Sequence, residues 1–78
     1  MKTTHNELMK RAAPVAAKIK KMRIKAGFKS SEHFALKYSL PRVQYWRMER
    51  GTNFTFKSLL SILAIHRMPL HTFFKDIK

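Results

Sequence analysis

Seventy-eight residues allow one domain at most, and a chain this short buries only about 60% of its unfolded surface, so modest stability is expected. A hydrophobic content of 45%, with six Phe, suffices for a compact core, while the absence of Cys excludes disulfides and thiolate zinc sites and suits a reducing cytoplasm. Seventeen Lys and Arg against four acids leave a net charge of +13 and a pI near 10.9, a self-repulsion that calls for a polyanionic partner, nucleic acid first and an anionic membrane surface second.

Thr4-His5-Asn6-Glu7 matches a capping box, with Thr4 as N-cap and Glu7 reaching back to its N–H. Apolar residues then recur at Leu8, Ala12, Val15, Ile19, Met22 and Ala26, in steps of three and four that define one helical face. Pro14 interrupts this run and either kinks a long helix or opens a second one; the favoured reading is a short leading helix over 5–12, then a main helix over 14–26 stopped by Gly27. On that reading residues 1–13 are an N-terminal basic helical extension to a domain spanning 14–78. Lys10, Arg11, Lys18, Lys20, Lys21, Arg23 and Lys25 punctuate the segment. A core-packing helix with a solvated basic face is its plainest explanation, against an arm laid on DNA or a membrane-surface helix.

Ser30 or Ser31 caps the next helix, which runs to Tyr38 with Phe34, Ala35 and Tyr38 facing inward. Ser39-Leu40 forms a short turn, Pro41 suits the first position of a third helix, and Gly51 ends that helix after Arg50. Thr55 is the expected N-cap of a segment over 56–66 that is apolar nearly all round, and so is predicted to be buried on most sides. Arg67-Met68 is a turn, and Pro69 opens a last short helix ending near Phe73-Phe74. With no strand pattern and no repeat, the expected fold is all-α, a compact bundle of five helices or six.

Two short helices over 31–38 and 41–50, joined by a tight turn, have the dimensions of a helix-turn-helix. The front of the second reads Arg42-Val43-Gln44, with Arg47 one turn on. Arg can bond two guanine acceptors, Gln can do the same for adenine, and Val can touch a thymine methyl. Tyr45 and Met48 fall on the opposite, core-facing side. An ordinary solvated helix face is the competing explanation for Arg42, Gln44 and Arg47. Trp46 can stack on a sugar, lie on a neighbouring helix or help form a dimer contact, and an ordinary packing role is favoured over DNA contact.

The stretch Arg23…Gly27-Phe28…Phe34-Ala35…Leu40…Glu49-Arg50-Gly51, followed by Leu59-Leu60…Ile62-Leu63…Phe73-Phe74, resembles the Cro/phage-repressor (XRE-like) helix-turn-helix family over roughly residues 19–75. The resemblance implies a lambda-repressor-like fold and a bacterial, transcription-regulating role. It further implies that Arg42, Val43 and Arg47, with Gln44 beside them, read bases. Ser31 would contact a phosphate, as would Arg50 and the loop Thr52-Asn53, and Lys29 is assigned there on its charge. Arg23 and Glu49 match an ion pair tying the first helix to the end of the third, a structural role. The chain departs from the family at Ser39, where members usually carry Gly, at Pro41, and in a Lys29-Ser30-Ser31 stretch one residue longer than usual.

Nothing in the pattern suggests catalysis, a cofactor or a small-molecule substrate. His5, His33, His66 and His71 are scattered, no three ligands converge by spacing, and only Gly27 and Gly51 are available to any phosphate loop. No apolar run approaches the roughly 20 residues of a membrane span, and no signal-peptide core interrupts the basic start. The expectation is therefore a non-enzymatic, cytoplasmic, nucleoid-associated protein that binds double-stranded DNA sequence-specifically as a homodimer. The region Met68-Pro69-Leu70 with Phe73-Phe74 is the candidate shared surface. The alternatives are an antitoxin-like or adaptor module that binds protein, favoured if Trp46, Phe54 and Phe56 are exposed together, and non-specific binding to RNA or single strands.

Overall fold

The computed structural model describes residues 5–52, 55–75 and 77. Among them lie five helices and no strand: α1 (His5–Lys25), α2 (Ser31–Lys37), α3 (Arg42–Glu49), α4 (Phe56–Ile65) and α5 (Leu70–Lys75). No helix of the described residues is long and apolar enough to cross a membrane.

The break expected at Pro14 is absent. α1 runs through it as one helix of 21 residues, so residues 5–12 and 14–25 belong to a single element. Proline removes one N–H from the ladder and leaves the Lys10 carbonyl without its partner four residues on. Both Lys10 and Pro14 are exposed, so water can take that acceptor. The Thr4 cap proposed for this helix lies outside the described residues. The buried stripe of α1 is Ala16, Ile19 and Arg23, with Ala12, Val15 and Met22 half-buried beside it. Leu8 and Ala26, though in phase with the apolar pattern, are exposed.

The core gathers Ile19, Phe34, Ala35, Tyr45, Met48, Leu59, Ile62, Leu63 and Phe73. Phe34 is its hub. Its ring meets those of Phe28 at 5.2 Å, Tyr38 at 4.9 Å, Tyr45 at 5.0 Å and His66 at 5.3 Å, each pair adding to the area already buried. His66 stacks flat on Phe34 with its Nε2 buried and unpartnered, and burial lowers its pKa. Lys18, on the basic side of α1, donates from Nζ to the Phe73 carbonyl at 2.5 Å in the last turn of α5, where a helix has carbonyls to spare. That contact pins α5 to α1.

α4 departs from expectation. Leu59, Ile62 and Leu63 are buried, but Phe56 is 61% and Leu60 41% exposed. An apolar circumference needs neighbours on every side, and the described residues leave one flank of α4 uncovered.

Helices α1 to α4 end by one device. A residue of positive φ is followed by one whose N–H donates to the carbonyl five residues back. The pairs are Gly27 (98°) with Phe28→Arg23, Ser39 (56°) with Leu40→Ala35, Gly51 (76°) with Thr52→Arg47 and Arg67 (53°) with Met68→Leu63. Ser39 thus holds a left-handed conformation that costs a side-chain-bearing residue about 1–2 kcal/mol. Gly51 also sits close against α1: a Cβ there would meet the Cβ atoms of Ala16 and Ala12 at 3.5 and 3.6 Å. Small residues on α1 and a glycine at the end of α3 let the two backbones approach.

Candidate nucleic-acid interface

Ser30 has extended backbone, and its hydroxyl accepts the His33 N–H at 3.0 Å, so Ser30 rather than Ser31 caps α2. Ser31 occupies the first turn, half-buried. Leu40 and Pro41 carry the chain into α3, where Pro41 takes the N-cap position with φ −60° and ψ 117° and not the first helical position expected of it. Its backbone is already extended there, and its side chain can cap nothing.

α3 is two-faced. Tyr45 and Met48 are 1% and 2% exposed, whereas Arg42, Val43, Gln44, Trp46, Arg47 and Arg50 all face solvent. The helix turns 100° per residue, so a pair three apart sinks one face and frees the rest. Trp46, for which a packing role is favoured, is not buried against a neighbouring helix. It is 47% exposed, and the Arg50 guanidinium lies 4.6 Å from its ring centroid.

Two grooves flank this helix. One is lined by Arg42, Val43 and Trp46 on α3 and by Ser30, Ser31 and Glu32 at the start of α2. The other lies between α3 and the start of α4, with Gln44, Thr55, Lys57 and Ser58 among its lining residues. The Arg42 and Gln44 side chains are each held toward one of them. Arg42 Nη1 donates to Glu32 Oε1 at 2.6 Å, with both side chains largely exposed. Gln44 Nε2 donates to Ser58 Oγ at 2.6 Å, and Ser58 in turn touches the capping hydroxyl of Thr55. Arg47 forms no ion pair or hydrogen bond through its guanidinium among the described residues.

Behind this surface Arg23 and Glu49 meet as the sequence suggests. Nε and Nη2 of Arg23 donate to the two carboxylate oxygens of Glu49 at 2.8 and 3.0 Å, and Nη1 donates to the Phe28 carbonyl at 2.8 Å. The side chains are 5% and 7% exposed. One guanidinium therefore joins α1, the loop after it and the end of α3. It also neutralises a carboxylate placed at a helix C-terminus, where the dipole disfavours negative charge. The hydrogen bond to Glu49 raises the Arg23 pKa further, and burial with the adjacent carboxylate pushes the Tyr45 phenol well above its ordinary range. Arg23 and Tyr45 keep fixed protonation states at any ordinary pH.

Of the residues assigned to phosphate, Lys29 and Arg50 are exposed. Thr52 is half-buried, and its hydroxyl and N–H both donate to the Arg47 carbonyl, at 3.3 and 2.9 Å. This makes its side chain a helix-end cap. Asn53 and Phe54 lie outside the described residues. The sequence reading missed Glu32 and Ser58, which hold Arg42 and Gln44 from 10 and 14 residues away. No local periodicity signals partners so distant along the chain. No family model matches the chain, and no curated protein or solved structure matches it.

Proposed function

We propose that the protein binds double-stranded DNA sequence-specifically, as a non-enzymatic transcriptional regulator of the Cro/phage-repressor type that reads the major groove with α3. One observation carries this reading: Arg42, Val43, Gln44 and Arg47 share the exposed face of a short helix whose Tyr45 and Met48 are sunk in the core. A helix so mounted fits a groove about 12 Å wide, and these side chains carry donors and an apolar surface suited to base edges. The net charge of +13 supports the same partner. Lys29 and Arg50 take phosphates, while Ser31 and the N-terminal turns of α2 and α4 flank the groove on either side of α3. The protein needs no cofactor in this role, which belongs in the cytoplasm on nucleoid DNA. It binds as a homodimer, with half-sites about one DNA turn apart. Phe73 cannot share in the dimer contact assigned to the C-terminal region, since it is fully buried; Leu70 and Phe74 are exposed and can.

Selection of bound duplexes from a random pool tests the reading, followed by affinity measurements on the selected site. If six phosphates are neutralised, log K falls with log salt at a slope of about −5. Arg47→Ala should lose about 1–3 kcal/mol on the selected site and relax one base position, while Lys29→Ala weakens every sequence alike. Equal losses for Arg47→Ala on selected and scrambled duplexes would contradict the assignment.

The exposed Phe56 and Leu60 on α4 favour a second reading, an antitoxin-like module that covers that flank with a partner protein. It predicts no enriched sequence in the selection and DNA binding lost at moderate salt.

A further inference from the structure

We propose that Val43 and Trp46 together form a methyl-reading patch, which recognises thymine by the C5-methyl group that thymine alone presents in the major groove. The inference rests on the duplex-DNA reading above and names what one part of that surface selects.

Val43 is 59% and Trp46 47% exposed, three residues apart on α3 and so neighbours on one face. They form one wall of the groove whose opposite wall is Ser30, Ser31 and Glu32. Three of the four polar residues lining the groove have a hydrogen-bond partner. Glu32 and Arg42 pair at 2.6 Å, and the Ser30 hydroxyl is held by the His33 N–H at 3.0 Å. Beyond the Ser31 hydroxyl, what the groove offers is apolar surface.

Charge decides the occupant. Arg42, Arg47 and Arg50 sit on or beside the same short stretch of chain and are exposed, so whatever covers Val43 and Trp46 also meets positive charge. A second copy of this chain brings another +13. An apolar protein surface would have to desolvate those cations without phosphate-like partners. The major groove supplies both needs at once: anionic walls and a floor whose only apolar projections are thymine methyls. Arg50 lies over the Trp46 ring at 4.6 Å and still leaves the residue 47% exposed. In a paired duplex the base faces are stacked and closed to the indole, so it meets the floor through methyl groups and not by intercalation.

Replacing thymine with deoxyuridine removes the methyl and leaves every hydrogen-bonding group in place. The test takes the duplex selected from a random pool, substitutes each thymine in turn, and measures Kd at fixed salt for wild type, Val43→Ala, Trp46→Ala and Arg47→Ala. Wild type should bind about fourfold more weakly for each contacted methyl lost. That penalty should vanish in Val43→Ala or Trp46→Ala and persist in Arg47→Ala. The proposal is overturned if wild type binds thymine and uracil duplexes equally. It is also overturned if Trp46→Ala and Val43→Ala weaken both duplexes by the same factor, which would make the indole a mere support for the phosphate-directed Arg50. A shift in the elution volume of the free protein that Trp46→Ala abolishes would assign the patch to self-association and overturn it too. Melting curves of the variants establish that each is folded, and Val43→Thr, which keeps the branched shape and loses one methyl, provides a second variant. If the selection enriches no duplex at all, the failure lies with the DNA-binding reading itself.

Discussion

The Arg23–Glu49 and Arg42–Glu32 pairs are of similar length and opposite character. Arg23 and Glu49 meet at 2.8 Å with side chains 5% and 7% exposed, whereas Arg42 and Glu32 meet at 2.6 Å with side chains 64% and 68% exposed. The first is doubly bonded, takes a third bond to the Phe28 carbonyl and joins three segments of the chain. The second is a single contact between two solvated side chains. Exchanging a buried partner strands a charge in a medium that cannot solvate it. Exchanging an exposed one costs little, because water replaces what is lost. The contrast suits two tasks: Arg23 holds α3 in place, and Arg42 is free to leave Glu32 for a stronger partner.

The largest effect should follow from breaking the buried pair. Glu49→Ala should lose about 3–5 kcal/mol of stability, read from urea or thermal unfolding. For a domain this small that is a large fraction of the total. Replacing both partners by apolar residues, Arg23→Met with Glu49→Leu, should recover most of the loss, since no charge is then left buried; a double variant as unstable as the single one would show that the bond to Phe28 matters more than the carboxylate. An intermediate effect is expected at the turn that sets α3 against α2. Ser39→Gly should raise stability by about 0.5–1 kcal/mol, because glycine adopts the observed φ of 56° without the Cβ conflict while its looser unfolded chain offsets part of the gain. A destabilising Ser39→Gly would refute the left-handed turn. The smallest effect belongs to the exposed pair: Glu32→Gln should change stability by no more than about 0.5 kcal/mol. It should nonetheless tighten duplex binding at low salt, by removing a negative charge beside the groove and releasing Arg42. A stability loss comparable with that of Glu49→Ala would erase the distinction between the pairs.

Much of this architecture is legible in the residues. The Phe34-Ala35 pair, the Tyr45 and Met48 face of α3, the Thr55 cap and the two glycine stops are local matters of periodicity and turn chemistry, and the coordinates agree with each. The expected helix break at Pro14 fails because proline at an exposed position loses one hydrogen bond to water without ending the helix. Leu8, Phe56 and Leu60 illustrate a different gap. Periodicity names the apolar face but does not say whether a neighbour is there to cover it.

The amino-acid sequence alone determines a basic, all-helical chain with two short helices joined by a tight turn and an α3 whose exposed and packing faces are separated, since those properties depend on residue type and on spacings within a few turns. Tertiary structure alone decides that α1 is continuous, that Ser39 and Arg67 take positive φ, and that Glu32 and Ser58 hold Arg42 and Gln44. It also leaves Trp46 in the open. These outcomes depend on which segments meet after the core has closed, and a contact between residues 10 or 14 apart leaves no trace in the local pattern of either.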